Sequence, residues 1–229
     1  MEFGLKGRHV AILAADGVDG AQLSGPRRAL AEAGAVADVV GLRGGELRGA
    51  GAAPVAVDRT LDLCHAGDYD ALIVPGGRAG VEALSGEERA VQFIREFMAA
   101  DKPVAVIGDG IRLLVAADAV AARSVAAPPE LASLVRDAGG EVVDAPVHVD
   151  EKLITSRGDD LAGLETALMR EFANRVDEAR VDQLSEQSFP ASDPPPGPVA
   201  VGGEGASEAL HLDPQRPGRT GPPGGEVRP

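Results

Sequence analysis

The chain has 229 residues, is 44% hydrophobic and 25% charged, and carries a formal net charge of −14 at pH 7. That length allows one domain with a tail or two small domains. The negative balance argues against nucleic acid and anionic membranes as partners, since both demand clustered Lys and Arg. Aromatic residues make up 3% and Trp is absent, so a core has to be built from Ala, Val, Leu and Ile.

The lone cysteine, Cys64, excludes an internal disulfide framework. No apolar run approaches the roughly 20 residues that span a bilayer. Met1 to His9 leads straight into a strand-like run without a cleavage site, so a cytoplasmic protein is expected.

From His9 the chain alternates short apolar runs with longer amphipathic stretches. HVAILA (His9–Ala14) reads as a buried strand, Ala21–Ala33 as a helix and Val36–Leu42 as a second strand. Ala71–Pro75 is another strand and ends in the turn Gly76-Gly77. Glu87–Ala100 has helical spacing, with Phe93 and Phe97 four apart on one face. Pro103–Ile107 is a further strand, Gly110–Ala117 opens a helix, and Glu130–Ala138 is another helix. Short strands follow at Glu141–Asp144, Val147–Val149 and Leu153–Ser156, and Leu161–Val176 closes the pattern as a helix. Continuous apolar strands between helices predict a parallel sheet covered on both faces, a doubly wound sandwich. This divides the chain into an N-terminal extension (1–8), a domain (9–176) and an acidic, Pro/Gly-rich tail (177–229) that buries too little apolar surface to fold.

In such a sheet the site lies beyond the carboxyl ends of the strands. Three ends are candidates: Ala15–Gln22, Pro75–Gly80 and Gly108–Arg112. The last is a strand running through a sharp turn into a helix, a geometry that can expose a nucleophile beside free helix amides. Here that turn reads Ile107-Gly108-Asp109-Gly110-Ile111.

The segments DYDALIVPGGRAG (68–80), KPVAVIGDG (102–110) and AGGEVVDAPVHVDEKLITSRGDDL (138–161), with the closing helix, resemble the PfpI family of the class I glutamine amidotransferase-like superfamily over about residues 8–176. The resemblance implies a flavodoxin-like three-layer α/β/α sandwich with a mostly parallel sheet. It also implies a Cys-His-Gly elbow whose thiolate attacks a carbonyl carbon and is tuned by a neighbouring acid or base. In this chain the cysteine position falls on Gly108, the histidine position on Asp109, and the partner glutamate on Asp19. The loop ADGVD, the elbow IGDG and the run VEAL (81–84) are similar to the C-terminal domain of large-subunit catalases, which lacks the cysteine. The haem-binding catalase portion is absent from this chain, so catalase activity does not follow.

These departures set the expectation of a non-catalytic binding or assembly module of PfpI type. No catalytic residue and no cofactor is expected, with Gly108, Asp109 and Asp19 as degenerate positions. The candidate ligand-binding residues are Asp16, Asp19, Gly76, Gly77, Arg78, Asp109, Gly110 and Arg112. In relatives the amides of the PGG turn help form an oxyanion hole, so the resemblance implies an anion pocket at Gly76-Gly77, and Arg78 and Arg112 offer bidentate partners to a small acidic metabolite. Exposed, solvated arginines are the plainer reading. Asp109 reads first as a helix-terminal cap and otherwise as a general base or a cation ligand with Asp16 and Asp19. No metal is expected, because the histidines lack ligand spacing.

Cys64-His65 copies part of the missing motif but precedes its strand, in a polar connection away from the strand carboxyl ends, and reads as a surface or half-buried thiol and not as a nucleophile. The partner expected is a second copy of the chain. The alternative is a hydrolase, glyoxalase-like or amidotransferase-like enzyme that uses a non-cysteine group such as Asp109.

Overall fold

The structure, a computed structural model, describes residues 4–49 and 53–173. Eleven strands are present among them: β1 (His9–Ala14), β2 (Val36–Gly41), β3 (Glu46–Leu47), β4 (Val55–Ala56), β5 (Arg59–Thr60), β6 (Ala71–Val74), β7 (Val104–Ile107), β8 (Ser124–Val125), β9 (Glu141–Val142), β10 (Val147–Asp150) and β11 (Leu153–Ser156). The helices are α1 (Gly20–Glu32), α2 (Arg78–Ser85), α3 (Glu88–Ala99), α4 (Ile111–Ala116), α5 (Ala132–Asp137) and α6 across residues 161–173. The closing helix beyond residue 173 and the tail at 177–229 lie outside the described residues.

Seven strands form the main sheet in the order β10-β11-β7-β6-β1-β2-β5, all parallel except β10, which runs antiparallel to β11. Alternate residues of the central strands feed two separate cores. Ala11, Leu13, Leu72, Val74, Val104 and Val106 face α2, α3, α4 and α5, where Phe93 and Phe97 meet edge to face at 5.1 Å. Val10, Ile12, Ile73, Ala105, Ile107 and Ile154 face α1 and α6, packing with Leu23, Leu30, Leu164 and Leu168. Both faces are therefore dry, and the strands needed no polar alternation.

The main strands fall where the apolar runs predict them. Two local readings differ. Glu141–Val142 leaves the main sheet and pairs in parallel with β8 as a separate ribbon. Residues 78–85, given no element from the sequence, form helix α2, with Gly80, Val81 and Leu84 on its buried side.

Two loops meet between β1 and β6, where the chain reverses its direction of travel across the sheet. Asp19 N donates to Gly76 O at 2.9 Å. Gly77 holds φ +105°, and a Cβ there would overlap Gly17 O and Asp19 N, so only glycine fits.

Candidate functional site

The first turn of α1 and the loops after β6, β7 and β11 converge on residue 108. Gly108 leaves β7 at φ +55° and enters a 3-10 turn, Gly108–Gly110, that runs into α4. This is the sharp strand-to-helix elbow that the sequence suggests. A Cβ built on Gly108 would find Gln22 Oε1 at 3.5 Å, Gln22 Nε2 at 3.6 Å and Arg157 O at 3.7 Å, all ordinary contacts. The elbow has room for a side chain and carries none.

Gln22 is the residue that sequence reasoning missed. Its Oε1 accepts from Gly76 N at 2.9 Å, tying α1 to the turn after β6. Its amide end lies against Gly158, where a Cβ would come within 2.7 Å of Nε2. Pro26, four residues on, has no N–H to return to the Gln22 carbonyl.

Asp19, expected beside the elbow, turns out to be the N-cap of α1. Its carboxylate accepts from Ala21 N at 2.9 Å and Gln22 N at 3.1 Å, satisfying two free amides of the first turn. The carboxylate is thereby committed to the helix end, and the side chain that reaches the elbow stands three residues later, nearly one helical turn on. Asp16 is committed elsewhere too, its Oδ1 accepting from Arg48 N at 2.9 Å. It lines a cavity of about 500 Å³ with Glu46, Asp62 and Glu87, and none of Gln22, Gly76 or Gly108 lines that cavity. Asp16, Asp19 and Asp109 therefore do not assemble around one point. No cluster of three or more His, Cys, Asp or Glu among the described residues could hold a metal ion.

Asp109 sits on the elbow itself, and its carboxylate makes no capping hydrogen bond. It faces Arg112 instead, with Oδ1 3.6 Å from Nε, beyond hydrogen-bond length, while Arg112 Nε is buried without a hydrogen-bond partner. Arg78 is exposed and pairs along its own helix with Glu82 at 2.9 Å. Glu82, and behind it Asp109, hold the Arg78 guanidinium above its ordinary value. Arg157 braces the loop after β11 through Asp144 at 3.2 Å and Asp159 at 3.3 Å. The expected anion pocket at Gly76-Gly77 is altered, since the Gly76 N–H is already occupied by Gln22.

Cys64 is fully buried under α3, bonded to Thr60 O at 3.3 Å, and Arg89 Nη2 donates to its carbonyl at 2.5 Å. It is a core thiol and not the surface or half-buried one that its polar connection suggests, because Leu61, Tyr69 and Phe93 close over it in one core cluster.

The profile of the DJ-1/PfpI family matches residues 8–171. The chain belongs to the DJ-1/PfpI family. It is 37% identical over 122 residues to protein/nucleic acid deglycase 2 of Escherichia coli, covering 52% of this chain and 70% of that one. It is 34% identical over 163 residues to a deglycase of Thermococcus kodakarensis, covering 71% and 96%. A solved Anabaena variabilis protein with DJ-1/ThiJ/PfpI-like and ferritin-like domains superposes with a TM-score of 0.69 at 29% identity, over 71% of this chain and 48% of that chain. These relatives overturn the expectation of a non-catalytic module, because they are named as deglycases, which are enzymes. The elbow points the other way because that expectation weighs three departing positions, Gly108, Asp109 and Asp19, and not the rest of the domain. Among the described residues, no helix is long and apolar enough to cross a membrane.

Proposed function

We propose that this chain is a deglycase-type enzyme of the DJ-1/PfpI fold that releases carbonyl adducts from amines by acid–base chemistry, without a cysteine. The observation that carries this is the intact elbow at Gly108, with a carboxylate, Asp109, as the next residue. It stands in a domain 34% identical to a named deglycase.

The chemistry suits a carboxylate. A hemiaminal, the first adduct of an aldehyde and an amine, reverts by proton movement alone. Asp109 takes the proton of the carbinol hydroxyl, the C–O bond becomes C=O, and the C–N bond breaks. The nitrogen leaves with the proton that Asp109 returns, so the carboxylate ends as it began. No thiolate, oxidant or metal enters this balance. A thiolate is needed only for routes through a covalent enzyme adduct.

The test is the decay of the methylglyoxal adduct of N-acetyl-lysine, followed by recovery of free amine. Acceleration by the wild-type chain that is lost in Asp109→Asn supports the assignment. Decay no faster than in buffer defeats the reading, and activity surviving in Asp109→Asn defeats the role of Asp109. The same reading takes the chain as a cytoplasmic homodimer; light scattering on the purified protein checks the dimer, and cell fractionation checks the compartment.

A further inference from the structure

We infer that the side-chain amide of Gln22 is the donor that holds the substrate's oxygen at the elbow, in place of the Gly76 amide it has sequestered. The inference deepens the proposed function and rests on it for the identity of the substrate, a carbinol or carbonyl oxygen on a small adduct.

Hydrogen-bond chemistry fixes the orientation of the carboxamide. The Gly76 N–H can only donate, so the atom facing it at 2.9 Å has to be the amide oxygen. The NH2 group is therefore turned away from Gly76. It lies 3.6 Å from the place a Cβ would take on Gly108 and against Gly158. Both neighbours are glycine, so no side chain from either covers it. Among the described residues, Nε2 has no hydrogen-bond partner, and Gln22 is half-buried, not sealed.

A donor set in advance beside an emptied position is what stabilisation of a developing oxyanion needs, and Gln side chains serve that role as well as backbone amides do. A carbon in the Cβ position at 108 makes only ordinary contacts, and Asp109 follows on the same turn. Gly76 no longer competes, because its N–H is satisfied internally. The carboxamide so has two separable jobs, an oxygen that clasps the β6 turn and a nitrogen that faces substrate.

Two substitutions separate them. Gln22→Glu keeps an acceptor for Gly76 and removes the donor, whereas Gln22→Ala removes both. Gln22→Glu is expected to melt close to wild type yet lose kcat/KM by on the order of 100-fold near neutral pH, the loss typical of one oxyanion donor. Below about pH 4.3, where a glutamic acid regains its O–H, the deficit is expected to shrink, a pH profile that a purely structural role would not produce. A readout independent of turnover is the side-chain amide NMR signal of Gln22, assigned by its absence from Gln22→Glu and titrated with hydroxyacetone. A shift of that signal in a protein without turnover keeps the donor and sinks the proposed reaction. Turnover that Gln22→Glu leaves at the wild-type rate, or a signal that hydroxyacetone does not move, overturns the donor.

Discussion

The Sγ of Cys64 lies 3.5 Å from the phenolic oxygen of Tyr69, and both side chains are shut inside the core below α3. Tyr69 is the chain's one tyrosine and Cys64 its one cysteine, so each gives a clean signal. Burial, then the bond to Cys64, push the phenol above its ordinary value. In the unfolded chain the proton leaves near pH 10, while the folded chain retains it. Stability is thus full below about pH 10 and falls as pH rises beyond it. Spectrophotometric titration should show tyrosinate appearing only together with alkaline unfolding. Iodoacetamide should leave Cys64 unmodified until the chain unfolds; rapid alkylation of the native protein would contradict the buried placement.

Gly108→Cys should yield a folded protein with a second, reactive thiol. The space around the new Cβ is ordinary contact distance. The cost is the positive φ, roughly 1 to 3 kcal/mol for a residue with a side chain. Mass spectrometry after brief alkylation should find one label, at 108. A chain that fails to fold, or a label at Cys64 alone, would show that the elbow has closed.

Asp19→Ala should lower stability by about 1 kcal/mol through the lost helix cap. Denaturant titration measures it. If Asp19 acted instead as the elbow's carboxylate, adduct release would be abolished with stability unchanged.

Phe93→Ala should cost about 3 to 5 kcal/mol. Its ring is fully buried, packs edge to face on Phe97, and carries the Arg89 guanidinium 5.3 Å from its centre. A loss under 1 kcal/mol in a chemical melt would refute that account of the core.

How far these features could be read from residue order depends on their length. The central strands were legible because HVAILA and ALIV are buried on both sides, and nothing but continuous apolar character was required of them. The edge pairs were not legible: Glu46–Leu47 with Val55–Ala56, and Arg59–Thr60, are two residues long and too short for any period to register. The elbow was found from its glycines. Gln22 was missed because an uncharged amide among small residues carries no pattern. Its one sequence signal is its place, in the first helical turn beyond the first strand and three residues past an Asp that prefers to cap.

The close approach of Gly77 to the Gly17–Asp19 backbone joins the loops after β1 and β6 main chain to main chain. Open sheets of this order usually take a mononucleotide or flavin in the fork between their two halves, but here main chain fills that fork from both sides. Beside the elbow, by contrast, Gly108 and Gly158 offer no side chain of their own, and the Gln22 carboxamide is their shared neighbour.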